Sequence, residues 1–265
     1  VISQSPDIHK MKQEIEYTFE LLFEYDDKFE RFGPGSKLAD PETLQAFIDA
    51  MCKGFETKKR AVAVSMCIKY LSRALCGVLY AMSGWNRSLN GSLANIELLL
   101  PQGKGIAPML IDASWTDCPD GGAEARAAWR EQTCRQLFEE GLRPFFDVLA
   151  SAVKLTKQTM WENAVVYIHY FYKEWLKTAD ETARQQLQDD YRYITETAPG
   201  YVFGRKSGNP FAVSNRIIPH PGQACETLRI RNTCCLRLLL NDGVSCTTCP
   251  RIDDETRLTR FAQKT

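Results

Sequence analysis

Ala94-Asn95-Ile96-Glu97-Leu98-Leu99-Leu100 alternates apolar with polar side chains through its first five positions. Met109-Leu110-Ile111-Asp112-Ala113-Ser114-Trp115 sets up a second alternating face formed by Met109, Ile111, Ala113 and Trp115. A period of two belongs to a half-buried strand. Pro101-Gln102-Gly103-Lys104-Gly105 between them reads as a loop longer than the tight two-residue kind, so residues 93–115 predict a β-hairpin. That hairpin decides the fold class, because the two hundred residues around it otherwise read as helices. The chain is expected to be α+β and predominantly helical.

Upstream, Ile15, Phe19, Leu22, Phe23 and Phe29 are spaced for one face of a helix that Gly33-Pro34-Gly35 breaks. Asp40-Pro41 supplies an N-cap followed by a first-turn proline, and Phe47, Ile48 and Met51 mark the buried side of the helix it starts. A third helix is expected from Thr57 to Ser83, ended by Gly84. Its stretch from Ala61 to Met82 is the most apolar in the chain, but it carries Lys69 and Arg73, which favours a buried core helix over a bilayer span. Downstream of Pro119-Asp120-Gly121-Gly122, residues 123–197 read as helix, with breaks near Gly141–Pro144 and at Thr178–Asp180. Met160, Ala164, Tyr167, Ile168, Phe171 and Trp175 form a stripe at helical spacing, read first as core and second as a ligand-stacking wall.

After Pro199-Gly200 the texture becomes loop-rich, which places a soft boundary near residue 200 and divides the chain into 1–200 and 201–265. Composition is that of an ordinary globular protein, with 44% hydrophobic and 25% charged residues. Thirty-three basic side chains balance thirty-three acidic ones, which argues against a nucleic-acid coat. The balance is uneven along the chain: residues 201–265 hold ten Lys and Arg against five Asp and Glu. No basic-then-apolar leader is visible, and a cytoplasmic protein is expected, with peripheral contact with the inner membrane allowed.

Four of the ten cysteines crowd into sixteen residues, Cys234-Cys235, ten residues, then Cys246-Thr247-Thr248-Cys249. Four thiolates on so short a loop are a soft ligand set for zinc or an iron–sulfur cluster. Adjacent Cys234 and Cys235 point apart in extended backbone, which suits a dinuclear object better than one tetrahedral ion. Spacing alone ranks iron–sulfur first, zinc second, and redox or structural thiols third. The remaining cysteines, Cys52, Cys67, Cys76, Cys118, Cys134 and Cys225, lack ligand spacing; Cys225 lies nearest the cluster. His220, in Pro219-His220-Pro221-Gly222, is a weak metal-ligand candidate, and no Gly-x-Gly-x-x-Gly supports a nucleotide site.

Cys-Cys-x10-Cys-x-x-Cys followed by Pro250 and Arg251, with Arg231 and Thr233 upstream, resembles the C-terminal signature of the FhuF family of bacterial siderophore-iron reductases. The likeness is sharp over residues 231–251; the helical region before it is similar only in length and texture, with a distant likeness to the C-terminal part of siderophore synthetases. The resemblance implies that Cys234, Cys235, Cys246 and Cys249 ligate a [2Fe–2S] cluster. It also implies one-electron reduction of ferric siderophores in the cytoplasm, with residues 1–200 handling the siderophore and residues 201–265 the cluster. Electrons would then come from a ferredoxin or a separate reductase. Arg205, Lys206, Arg216, Arg229, Arg231 and Arg237 are candidate contacts for an anionic chelate, and Thr233 and Ser245 are candidate hydrogen-bond donors to the cluster sulfurs. The alternatives are a siderophore-handling or interaction protein stabilised by structural zinc, and an iron–sulfur sensor.

Overall fold

The computed structural model describes residues 7–220 and 226–262; Cys225 and Gly222 lie outside them. The chain is α+β with helix far exceeding strand. At its centre is α3 (Arg60–Trp85), twenty-six residues long and buried almost all round. Its length and apolarity would suffice to cross a membrane, yet 83% of its most apolar window is buried within the fold. A helix apolar on every side needs partners on every side. Here α1 (Ile8–Phe19), α2 (Pro41–Gly54) and α6 (Lys157–Thr178) pack against it. Asp40 caps α2 as expected, its carboxylate accepting from Thr43 N–H at 2.8 Å. Helix α3 runs past Gly84 and closes at Asn86, which takes a left-handed conformation.

The hairpin is present but shorter than its sequence pattern. Strands β3 (Ile96–Pro101) and β4 (Ala107–Leu110) pair antiparallel, Ile96 opposite Leu110 and Leu99 opposite Ala107. Gly105 lies in the connecting loop at φ +116°, where a Cβ would come within 2.8 Å of the Tyr70 ring. Trp115 leaves this sheet. It opens β5 (Trp115–Asp117), which pairs with β2 (Arg87–Leu89). Both faces of β3 are covered, so Asn95 and Glu97, expected to face water, are buried at 8% exposure. Asn95 satisfies its amide on Asn90 and Asp112.

Phe29 is not helical, contrary to the spacing. Helix α1 stops at Phe19 because Glu20 turns left-handed (φ 62°) and Glu16 captures the Phe23 N–H at 3.0 Å. Leu22 then bonds Pro108 and Leu110 through its backbone, and β1 (Phe29–Pro34) adds an edge strand to β3. Those pairings span 63 to 88 residues, beyond any local periodicity.

Helix α4 (Gly122–Leu137) continues through a π-helical turn (Phe138–Leu142) into α5 (Arg143–Ala152), so Gly141–Pro144 is a bulge rather than a break. The chain does break at residues 153–156, ahead of α6, and again before α7 (Glu181–Arg192). Asp190, fully buried, is held by Arg126 through two hydrogen bonds and by Arg130 at 3.2 Å, fixing α7 to α4. The stripe on α6 is core: Met160, Ala164, Ile168, Phe171 and Trp175 are buried, while Tyr167 is half-buried. One hydrophobic core runs from Met11 to Cys235 and so crosses residue 200. Beyond it lie the hairpin β6 (Arg216–Pro219) and β7 (Thr227–Ile230), the cysteine loops, and α8 (Asp254–Ala262).

Candidate metal centre and adjoining cavity

The adjacent cysteines lie on a turn whose next residue, Leu236, has φ 63°. A left-handed leucine costs about 1–2 kcal/mol, and such strain persists only where the surroundings impose it. Its effect is to aim successive amide hydrogens at the sulfurs. Leu236 N–H donates to Cys234 Sγ at 3.4 Å, and the Arg237 amide donates to Cys235. The second pair is built alike: Thr248 Oγ1 lies 4.0 Å from Cys246 Sγ, and Arg251 N–H donates to Cys249 Sγ at 3.4 Å. Each of the four sulfurs thus faces a donor two residues further along, an arrangement that stabilises thiolates.

Cys235 Sγ and Cys246 Sγ are 3.8 Å apart. Two sulfurs on one tetrahedral ion with bonds of about 2.3 Å stand roughly that far apart. The hydrogen bond between this pair holds Cys235 well below the usual thiol range and raises Cys246, its donor; Lys69 and Arg231 lower both. Burial raises the Cys234 thiol, against the lowering effect of the Leu236 amide and of Arg251. Among the described residues no three ligand-type side chains gather into a site for one ion. The donor set, the close pair and the amides fit a thiolate-bound centre.

A set of buried polar side chains anchors these loops, and of these only Arg231 was singled out from the sequence. Glu162, on α6, accepts from Thr233 N–H and Oγ1, both at 2.7 Å, and lies 3.9 Å from Arg231 Nε. Thr233 therefore turns to Glu162 instead of the sulfurs, because a buried carboxylate is the stronger acceptor. Arg231 donates to Asn163 Oδ1 at 2.6 Å, Asn163 to Ser65, and Ser65 Oγ to the Cys235 carbonyl at 2.7 Å. Arg257, on α8 and 1% exposed, donates to the carbonyls of Thr247, Cys249 and Ile252. Lys69, which interrupts the apolar run of α3, finds its place beside the sulfurs.

Cys246, Thr247 and Thr248 also line a cavity of about 1020 Å³. Its other walls are α6 (Tyr167, His169, Tyr170, Lys173), α7 (Tyr191) and the β6–β7 hairpin (Ile217, Leu228, Arg229), with Arg231 at its base. The size is at the upper end of small-molecule sites. Arg229 donates to the Tyr191 hydroxyl, whose own hydrogen is free for His169 Nδ1 at 2.7 Å. Desolvation, helped by Arg229, pushes His169 down to about 3, so the ring is neutral. In the unfolded chain the same ring protonates near 6.5, so the contribution of this site to stability is present above that pH and lost as pH falls from 6.5 towards 3. The His169 imidazole proton resonances, assigned with His169→Asn, are expected to stay at neutral shifts from pH 8 to pH 5. A midpoint near 6.5 in the folded protein would contradict this environment.

Of the six cations singled out from sequence, Arg229 and Arg231 line the cavity. Arg216 forms a two-bond ion pair with Asp254, tethering β6 to α8, and Arg237 pairs with Asp242 at 2.9 Å. Arg205 and Lys206 are exposed on a turn away from the cavity wall. Ser245 is buried, and His220 lines the cavity. Lys173 and Lys177, missed in the sequence because helical lysines are common, face Glu226 from α6.

Residues 68–199 match the family model described as FhuF, ferric iron reductase FhuF-like transporter. The match takes in Lys69, Glu162 and the helical wall of the cavity, and ends before the cysteines. No curated protein matches the chain.

Proposed function

Through residues 68–199 this chain belongs to the FhuF-like family, and from that premise we propose that it is a ferric-siderophore reductase working in the cytoplasm. In this reading Cys234, Cys235, Cys246 and Cys249 hold a [2Fe–2S] cluster, and the ferric chelate occupies the cavity beside Cys246. The observation that carries it is Cys246 itself, a member of the sulfur quartet and part of the cavity wall. An all-cysteine [2Fe–2S] centre supplies one electron at low potential when bound.

The chelate is substrate, and its chemistry explains the outcome. Hard oxygen donors hold Fe(III) tightly and Fe(II) far more weakly, so one added electron opens the chelate. What the protein contributes is position. Tyr167, Tyr170 and Tyr191 offer aromatic faces, Arg229 offers a charged donor near the mouth, and Tyr170 is exposed enough (57%) to meet an incoming ligand. Neutral His169 adds no charge that would repel or bind protons in the working range.

Anaerobically purified protein is expected to contain about two irons and about two acid-labile sulfides per chain. After dithionite reduction it should convert added ferric siderophore to Fe(II) stoichiometrically, one electron per cluster. Arg229→Ala should keep the iron and sulfide and bind anionic chelates about tenfold more weakly. Zinc without sulfide would overturn the redox reading in favour of a structural site, and unchanged chelate affinity in Arg229→Ala would remove the chelate from this cavity.

A further inference from the structure

The cysteine loops touch a second surface, far from the cavity in character and composition. Asn241, in the ten-residue loop between the cysteine pairs, donates to the Glu56 carbonyl at 3.0 Å. Glu56 sits in the turn joining α2 to α3, and Gly54 at the end of α2 abuts the Gly103 carbonyl of the β3–β4 loop. Three segments distant in sequence therefore form one face. None of their residues lines the cavity.

This face is basic. The local carboxylates are already engaged: Asp49 with Arg60 at 3.6 Å, Glu56 with Lys104 at 3.9 Å, and Asp242 with Arg237 at 2.9 Å. Lys53, Lys58 and Lys59 are exposed, and among the described residues they form no ion pair. Three uncompensated positive charges within seven residues give a local field in a chain with no net charge. Beside them lies a depression of about 490 Å³ walled by Lys53, Lys58, Arg60 and the paired carboxylates Asp49 and Glu56, and Val244 is an apolar side chain 44% exposed on the adjoining loop. An apolar spot rimmed by unpaired charge is the make-up of a transient protein interface. Asn241 lies five positions before Cys246, so the chain between them spans at most about 18 Å.

We propose that this face docks an acidic one-electron carrier protein, which reduces the thiolate-bound centre while the cavity holds the chelate. The inference rests on the reductase reading above. Electrons balance as one lost by the reduced carrier and one gained by Fe(III), with the centre returned to its starting state. Entry and exit lie on different faces, so carrier and chelate do not compete.

The test uses cluster-loaded protein and a reduced, acidic plant-type ferredoxin as probe. At low ionic strength the triple variant Lys53→Glu/Lys58→Glu/Lys59→Glu should accept electrons at least about tenfold more slowly than the parent. Its rate should be nearly independent of salt, whereas the parent rate falls as salt rises. Dithionite, a small reductant needing no docking face, should reduce both alike. Carbodiimide cross-linking of the parent to ferredoxin should map to Lys53, Lys58 or Lys59. Equal ferredoxin rates in parent and variant, or cross-links confined to other lysines or absent, would overturn the proposal. If dithionite-reduced protein leaves ferric chelate untouched, the reductase reading fails instead, while the cross-link map still judges the docking face.

Discussion

Cys246→Ser is expected to bleach the visible spectrum of anaerobically purified protein and to lower ferric-siderophore reduction at least about a hundredfold in the same preparation. The two losses are tied because Cys246 lies both 3.8 Å from Cys235 and in the wall of the cavity. A serine hydroxyl is a harder and far less acidic donor than a thiol, so it neither completes a soft four-sulfur set nor replaces the shared proton with Cys235. Cys118→Ser serves as the control: Cys118 is half-buried and remote from the quartet, and its thiol is raised mainly by burial. It should keep colour and activity. Absorption spectra, iron content and single-turnover chelate reduction measure the outcome together. Full reduction by a colourless Cys246→Ser protein would remove the cysteines from the electron path.

Arg231→Leu carries the largest expected stability loss. The Arg231 and Glu162 side chains are 3% and 4% exposed, and the guanidinium also binds Asn163. Removing one partner of a buried pair strands the other charge, at a cost of about 3–5 kcal/mol. In a chain of this size that corresponds to a fall in Tm of roughly 6–20 °C. Glu162→Leu should be similarly costly, since it strands Arg231 and both Thr233 donors. The double variant should lose much less than the two single losses added, because the stranded charge is gone. Thermal melts of the parent, both single variants and the double variant close the cycle. Simple additivity would show that the two side chains do not act as a pair. Cluster retention should track stability in the single variants, since Glu162 anchors the turn that carries Cys234 and Cys235.

Adjacent residues make some of these elements legible, yet α3 runs past Gly84, Gly141–Pro144 is a bulge, and Asn95 and Glu97 are buried. Asp40-Pro41 starts α2 because capping and proline geometry depend on adjacent residues alone. The alternation around Ile96–Leu98 makes a strand, and Gly105 permits its turn. The double-cysteine pattern marked the candidate centre, and the amides at Leu236 and Arg251 follow from the same short segments. Phe29 was misread because its spacing suits a helix equally well, and only pairing with Leu100 and Pro101 makes it a strand. The six basic candidates show the same divide: charge was legible in the sequence, but whether it meets a cavity or an aspartate was not.

Sequence by itself determined the helical framework, the hairpin and the four sulfurs, each of which depends on residues a few positions apart. Only the tertiary structure decided that Cys246 borders a cavity, that Glu162 holds the cysteine turn, and that Lys69 faces sulfur from within an apolar helix. Those juxtapositions join segments from 71 to 177 residues apart. They are set by which surfaces fill a shared interior and which buried charges find partners, and no periodicity within one segment encodes that choice.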